Sequence, residues 1–248
     1  MTFLFRLAPV LVLLAISIAC LFPILALMTR FGWLDFQTTL PLLLGTTLTA
    51  VLVMALAGVT LILAIRAHKP AVKNRIALAI LVLLIPLSVV VYFGLKVKQF
   101  PMIHNVSTSV AEPLVFEKIP LLRPPQANPL TPLSETIQLQ KQFYPQLKSL
   151  YVKGSIKKVL NQAASTAEEM GWKLVSVDRD KGVIEATATT FWFGFTDDVA
   201  VRVQSSNQGV KVDLQSVSRI GKSDLGKNAA RIQQFQSRLA DAMGKSGD

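Results

Sequence analysis

Three long, almost unbroken apolar stretches open the chain, from about Leu7 to Leu27, Leu40 to Ile65 and Ile76 to Leu95. None holds a charged residue, and each has the roughly 20 residues that a helix needs to cross a bilayer core. Helices are the expected state, because a helix satisfies its own backbone hydrogen bonds where lipid offers none. Pro9, Pro23, Pro41 and Pro86 fit as kinks or end signals. Thr46, Thr47, Thr49 and Thr60, with Ala55, Ala57 and Gly58, predict close helix approach and hydrogen bonds between helices. No ionisable group falls at mid-membrane, which argues against an ion path or proton relay. Ser17-Ile18-Ala19-Cys20 faintly resembles a lipoprotein processing site, but the apolar run continues to Met28, longer than a cleaved signal core. Cys20 therefore reads as a small membrane-buried hydrophobe.

At Phe100 the pattern changes. Eight of the 13 prolines fall between Phe100 and Tyr151, which excludes a long helix or a central strand there. The same segment holds Ile103, Val106, Leu114, Val115, Phe116, Ile119, Leu121, Leu122, Phe143, Tyr144 and Leu150, too apolar a set for a solvated tether. It predicts an extended strap over 100–152 whose apolar side chains dock on the domain C-terminal to it, with a short helical turn from Ser134 to Gln142. The first 99 residues form the membrane region, and 153–248 form a compact domain.

In that domain Ile156, Val159, Leu160, Ala163, Ala167 and Met170 recur at helical spacing, between a Ser155 cap and Gly171. Period-two stretches come next, at Trp172–Val177, Val183–Phe195, Val199–Gln204 and Val210–Val217, separated by turn residues. A last helix is predicted from Asp224 to Met243. Helix, four strands and helix, with short connections, predict an antiparallel α+β sheet of about four strands with both helices on one face, behind an all-α three-helix transmembrane region. If the turn at Ser206–Gly209 closes symmetrically, Val203 faces Val212, Val201 faces Leu214, and Arg202 stands opposite Asp213 on the other face.

Charge sets orientation. Residues 1–99 hold eight Lys and Arg against one acid, a net +7, and the remainder hold 18 against 14, a net +4. The excess flanks apolar spans and is not gathered on a soluble surface, so nucleic acid is excluded as a partner and the lipid bilayer is the expected one. Arg66, Lys69, Lys73 and Arg75 lie between spans two and three, whereas Arg30 is balanced by Asp35 between spans one and two. The positive-inside rule then places the N-terminus in the cytoplasm and everything after Leu95 outside; Lys96 and Lys98 pull the other way. The expected location is a bacterial inner membrane, multi-pass, with a periplasmic C-terminal domain. One Cys and two His make an internal disulfide impossible and a protein zinc site improbable, and no cofactor is expected.

Two runs carry a resemblance: Phe191-Trp192-Phe193-Gly194-Phe195-Thr196-Asp197-Asp198-Val199-Ala200-Val201-Arg202-Val203, and Val212-Asp213-Leu214-Gln215-Ser216-Val217-Ser218-Arg219-Ile220-Gly221-Lys222-Ser223-Asp224-Leu225-Gly226-Lys227-Asn228-Ala229-Ala230-Arg231-Ile232. With Ile103-His104-Asn105-Val106-Ser107-Thr108 they resemble the bacterial and plastid family of domain of unknown function 1499, over about residues 100–245. Asn105 stands where that family's pattern has Asp. The resemblance implies a module and no activity.

Candidate sites come from residue chemistry. Asp197 and Asp198 are adjacent carboxylates; alternation along a strand would send them to opposite faces, which disfavours a shared metal and favours pairing with Arg219 or Arg231. Ser223 and Asp224 read as a cap and a dipole partner for the last helix, with an anion site beside Arg219 and Lys222 as the sharper alternative. Asp197, Asp198, Arg202, Asp213, Arg219, Ser223, Asp224, Asn228 and Arg231 are thus read as one structural or binding network. His104 and Trp192 are the candidate ligand or partner contacts, with Phe191, Phe193 and Phe195 assigned to the core. No nucleophile motif is present. Three readings stand: a non-enzymatic module meeting envelope proteins or lipids; an enzyme on an anionic or lipid substrate using Arg219, Arg231, Asp197 and Asp224 around one pocket; and a lipid carrier with a cavity between sheet and helices. Oligomeric state is left open.

Overall fold

A computed structural model describes residues 2–245, apart from the side chains of Thr2, Leu4 and Lys245, and divides into two compact units. One comprises residues up to Lys96 together with the loop Phe191–Gly194, and the other comprises 97–190 and 195 onward.

The first unit is helical: α1 (Thr2–Arg6), α2 (Ala8–Arg30), α3 (Phe36–Arg66) and α4 (Pro70–Gln99). The last three are long and apolar enough to cross a membrane. Their contacts use small residues, with Ala15, Ala50 and Ala79 around Leu83 and Ile18, and Ala8 and Ala57 around Leu11 and Ile76. Large residues such as Leu48, Leu52 and Ile85 point outward. This inversion is what helices need in lipid, where apolar surface gains nothing by hiding and backbones gain by close packing. The threonine expectation needs correction. Thr46, Thr47, Thr49 and Thr60 donate to carbonyls four residues back on α3 itself, the usual alternative for a helical hydroxyl. A bond between helices is made elsewhere, by Thr29 and Thr39 at 2.7 Å.

The second unit runs β1 (Asn105–Ser107), a 3₁₀ turn (Ile119–Leu122), α5 (Ser134–Phe143), β2 (Leu150–Val152), α6 (Ile156–Glu169), β3 (Lys173–Asp178), β4 (Val183–Thr189), β5 (Thr196–Ser206), β6 (Gly209–Ser218) and α7 (Lys227–Lys245). All pairings are antiparallel, in the order β1-β6-β5-β4-β3, with β2 also on β6. The register predicted for β5 and β6 is the one found: Val203 opposite Val212, Val201 opposite Leu214, Arg202 opposite Asp213. Among the described residues six strands replace the expected four. The extra two are three-residue pieces of the proline-rich segment, too short to show alternation, and they become strands only by pairing with the free edge of β6.

Other boundaries differ too, two of them next to the candidate site. The strand expected to reach Phe195 stops at Thr189, because Thr190 N–H bonds Phe195 O at 2.8 Å and closes a loop. The last helix starts at Lys227 rather than Asp224, after Leu225 and Gly226 adopt positive φ.

Both faces of the sheet are covered. On one, α6 and α7 bury Val159, Leu160, Ile232, Phe235 and Leu239 against Ile184, Val201, Val203 and Leu214, each fully buried large aliphatic contributing about 1.5–3 kcal/mol. Phe235 stacks on Trp172 at 5.2 Å. On the other, Leu114, Phe116 and Ile119 lie against Ala200 and Val217. Val115, Leu121, Leu122 and Phe143 stay exposed, so only part of the expected apolar set docks.

Candidate functional site

Alternation along β5 sends Asp197 and Asp198 to opposite faces, and each finds arginine there. Asp198 is fully buried. Arg219 Nε donates to its two oxygens at 3.0 and 3.1 Å and Nη2 adds a bond of 2.7 Å. Arg123 Nε lies 2.8 Å from Oδ2. The same guanidiniums continue to the strap: Arg219 Nη1 donates to Leu122 O at 3.3 Å, and Arg123 Nη2 to Asn128 O at 2.5 Å. Burial holds Arg123 below its ordinary pKa; Asp198 opposes that shift and Arg219 adds to it.

At the other end of this face sits Asp213, also fully buried. Arg202 Nη2 reaches it at 2.9 Å, Lys211 Nζ at 3.2 Å and Ser149 Oγ at 2.5 Å. Burial pushes its carboxyl up, but the hydrogen bonds from Ser149, Arg202 and Lys211 together outweigh this and leave it below the ordinary carboxylate value. Glu112, on the strap, lies 3.6 Å from Arg202 and 3.8 Å from Lys211.

The helix-covered face holds a separate cluster. Arg231 Nη2 donates to Asp197 Oδ2 at 2.5 Å, and its Nη1 to Ser216 Oγ at 2.9 Å and Asn228 Oδ1 at 2.5 Å. Asn228 Nδ2 donates to His104 O and Ser218 Oγ. Asp224 accepts the N–H groups of Gly226 at 2.8 Å and Asn228 at 2.9 Å, so it caps α7 in place of Ser223. Ser223 instead donates to Pro101 O and receives Leu225 N–H. The cap moved because the positive-φ pair Leu225–Gly226 delays the helix and turns the Asp224 carboxylate onto its first free N–H groups. Burial raises Asp224 above the ordinary carboxylate value; the two N–H groups pull it down and nearby Asp197 pushes it up again.

Several residues that organise these clusters escape sequence reasoning. Glu185, buried in the middle of β4, accepts the N–H groups of Glu117, Lys118 and Ile119 at 2.8 to 3.1 Å. Gln215 donates to Asn105 Oδ1 and Leu130 O and accepts Leu114 N–H. Gln140 brackets Ser107, accepting its N–H and donating to its carbonyl, as a neighbouring strand would. Asn128 Nδ2 bonds Ser218 O and Gly221 O. A usable signal existed for one of them: a lone Glu flanked by Ile184 and Ala186 implies a buried acceptor with backbone donors to satisfy it.

Arg219 and Arg231 therefore serve opposite faces, and the four groups of the proposed enzyme pocket do not converge on one cleft. A cleft of about 540 Å³ lies instead at the strap edge of β3 and β4, lined among others by Leu114, Val115, Lys118, Arg179, Lys181 and Arg202. His104 is half-buried beside β1, its carbonyl taken by Ser218 N–H and Asn228. Burial, and secondarily Arg123, lower its pKa. Trp192 is 53% exposed in the loop that groups with the helical unit, and Phe191, expected in the core, is exposed beside it. Phe193 and Phe195 are half-buried. The loop breaks strand alternation, so the aromatics no longer divide between two sheet faces.

Against known proteins, no curated sequence matches the chain. A family model described as protein of unknown function DUF1499 matches residues 105–239, more than half the chain, and begins at β1, C-terminal to the three apolar helices. The match takes in both the strap and the α6–α7 sheet, the two parts whose polar groups interlock, and the chain belongs to the DUF1499 family.

Proposed function

We propose that this protein is a multi-pass component of a bacterial inner membrane whose C-terminal α+β domain stands in the periplasm as a non-catalytic binding or envelope-associated module. The observation that carries the reading is the closure of the charged clusters. Asp198, Asp213 and Asp197 are each held by arginine at 2.5 to 2.9 Å, and Glu185 is spent on strap N–H groups. Groups so engaged fix a shape and are poor candidates to bind and release substrate. What the strap leaves outside is the 540 Å³ cleft and the exposed Val115, Leu121 and Leu122, a mixed apolar and charged surface of the kind a partner uses.

Orientation rests on Arg66, Lys69, Lys73 and Arg75 around the α3–α4 connection. Fusions of alkaline phosphatase and of green fluorescent protein after Asp248 test it: active phosphatase and dark fluorescent protein are expected, and the reverse would put the domain in the cytoplasm. Photo-crosslinking residues placed in cells at Val115 and Leu121 should give discrete adducts with an envelope protein or lipid that the same group at Asn207 does not give. Absence of adducts at both positions would count against a binding role for this surface.

A further inference from the structure

We infer that the loop Phe191–Gly194 is a second, non-helical membrane anchor, seated in the headgroup region of the bilayer at the level where α2 ends. This holds for either orientation of the domain, so it does not depend on the proposed function.

Depth comes first. Arg30 is the last residue of α2 and Asp35 caps α3. These are the first charges met after two uncharged apolar runs, so the turn between them lies at the edge of the hydrocarbon. That turn displays Phe31 and Trp33, and Trp33 is 74% exposed. By connectivity, α4 ends on the same side, with Lys96 Nζ 5.1 Å over the exposed Tyr92 ring. Aromatic residues and snorkelling cations together at span ends mark a membrane–water interface, because the ring prefers the interfacial zone while the cation reaches water.

Phe191–Gly194 is tied to this same level. The Arg30 guanidinium stands 5.1 Å over the Phe191 ring and donates to the Phe191 carbonyl. Phe193 meets Phe36 edge-on at 6.0 Å. Gly194, at φ +67°, approaches so closely that a Cβ there would sit 3.1 Å from Arg30 Cα and 3.2 Å from its carbonyl oxygen, so both the backbone angle and the space call for glycine. Held there, Phe191 (67% exposed) and Trp192 point outward. In water, two adjacent outward aromatics on a loop tip are costly. Beside an interfacial arginine, at the level of the turn that carries Phe31 and Trp33, they fit an aromatic belt.

The test uses the full chain in phosphatidylcholine–phosphatidylglycerol vesicles, with Cys20→Ala and a single nitroxide label at Trp192→Cys. Reference labels are Asn207→Cys, in the exposed β5–β6 turn, and Leu52→Cys, mid-α3 and outward-facing. Collision rates with oxygen, which concentrates in lipid, and with a water-soluble nickel chelate give a ratio for each site. The ratio at 192 should exceed that at 207 by at least about five-fold and stay below that at 52. Equality with 207 would overturn the proposal, as would a label shielded from both quenchers, which means a protein contact. Should the cysteine variant fail to fold, bromolipid quenching of native tryptophan in wild type and Trp192→Phe supplies the second reading. The quenched intensity should drop in the variant; an unchanged quenched component would overturn the inference equally.

Discussion

The two faces of the sheet are covered by different kinds of chain, and they are built differently in consequence. The face under α6 and α7 is largely aliphatic around Ile184, Val201, Leu214, Ile232 and Phe235. The face under the strap buries Asp198, Asp213, Glu185 and Gln215 among few apolar groups. A helix arrives with its backbone hydrogen bonds made except at its ends, so along its length it asks mainly for apolar contact, and the polar group under α7, with Asp197, Asn228 and Arg231, sits near the start of that helix. A proline-rich strap arrives with free N–H and carbonyl groups, and each buried one needs a partner. The sheet supplies them from side chains: Glu185 for three N–H groups, Gln215 for Leu114 and Leu130, Arg219 for Leu122. Sequence polarity on a buried face thus records what covers it.

The comparison predicts unequal damage. Asp198→Ala leaves Arg219 and Arg123 buried without their carboxylate and should cost about 3–5 kcal/mol. A thermal melt of the full chain in detergent, followed by near-ultraviolet circular dichroism, should show it as a large fall in Tm; a fall of a degree or less would mean that the arginines find water. Next in size, Glu185→Ala strips three strap N–H groups of their acceptor, for roughly 2–3 kcal/mol. Hydrogen exchange should rise at Glu117, Lys118 and Ile119 while α7 amides keep their protection. Uniform loosening of both faces would erase the distinction drawn between them. Ile232→Val, on the aliphatic face, removes one methylene and should cost about 1 kcal/mol, with no dependence on salt or pH.

Acid should act on the strap face through Asp213. Its folded carboxyl binds a proton less readily than the unfolded one, so its contribution is complete above the unfolded value of about 4 and is lost as pH falls through the folded value. Asp213→Asn should flatten the decline of Tm in that window, and an unaltered slope would show that other carboxylates carry it. The smallest effect belongs to His104, whose folded pKa lies below the ordinary 6.5. Stability should fall as pH drops from about 6.5 through the folded value, and His104→Gln should remove that step from a titration of Tm.

Much of this was readable in order along the chain. The three spans, α6 with its Ser155 cap and the β5–β6 register with Arg202 facing Asp213 all follow from local periodicity and turn chemistry. The same holds for the split of Asp197 and Asp198, since strand alternation alone sends neighbours apart. Less legible were β1 and β2, the Asp224 cap and the aromatic loop. In each, the local pattern was overridden by a partner distant in sequence: the β6 edge for the two short strands, Ile103 O holding Asp224 N–H at 3.0 Å ahead of α7, and Arg30 beneath Phe191 and Gly194.

Local residue pattern therefore set where the chain is apolar enough to enter a membrane, where the α+β domain lies and which β5 and β6 residues face each other, because these depend on residues a few positions apart. Packing of distant segments settled which of Arg219 and Arg231 meets which of Asp197 and Asp198, that Arg123 joins Arg219 on Asp198, and that Glu185 and Gln215 hold the strap. Those partners lie 21 to 110 residues apart, and no periodicity reaches that far: a buried polar side chain announces that it needs a partner, but only the packed chain supplies one.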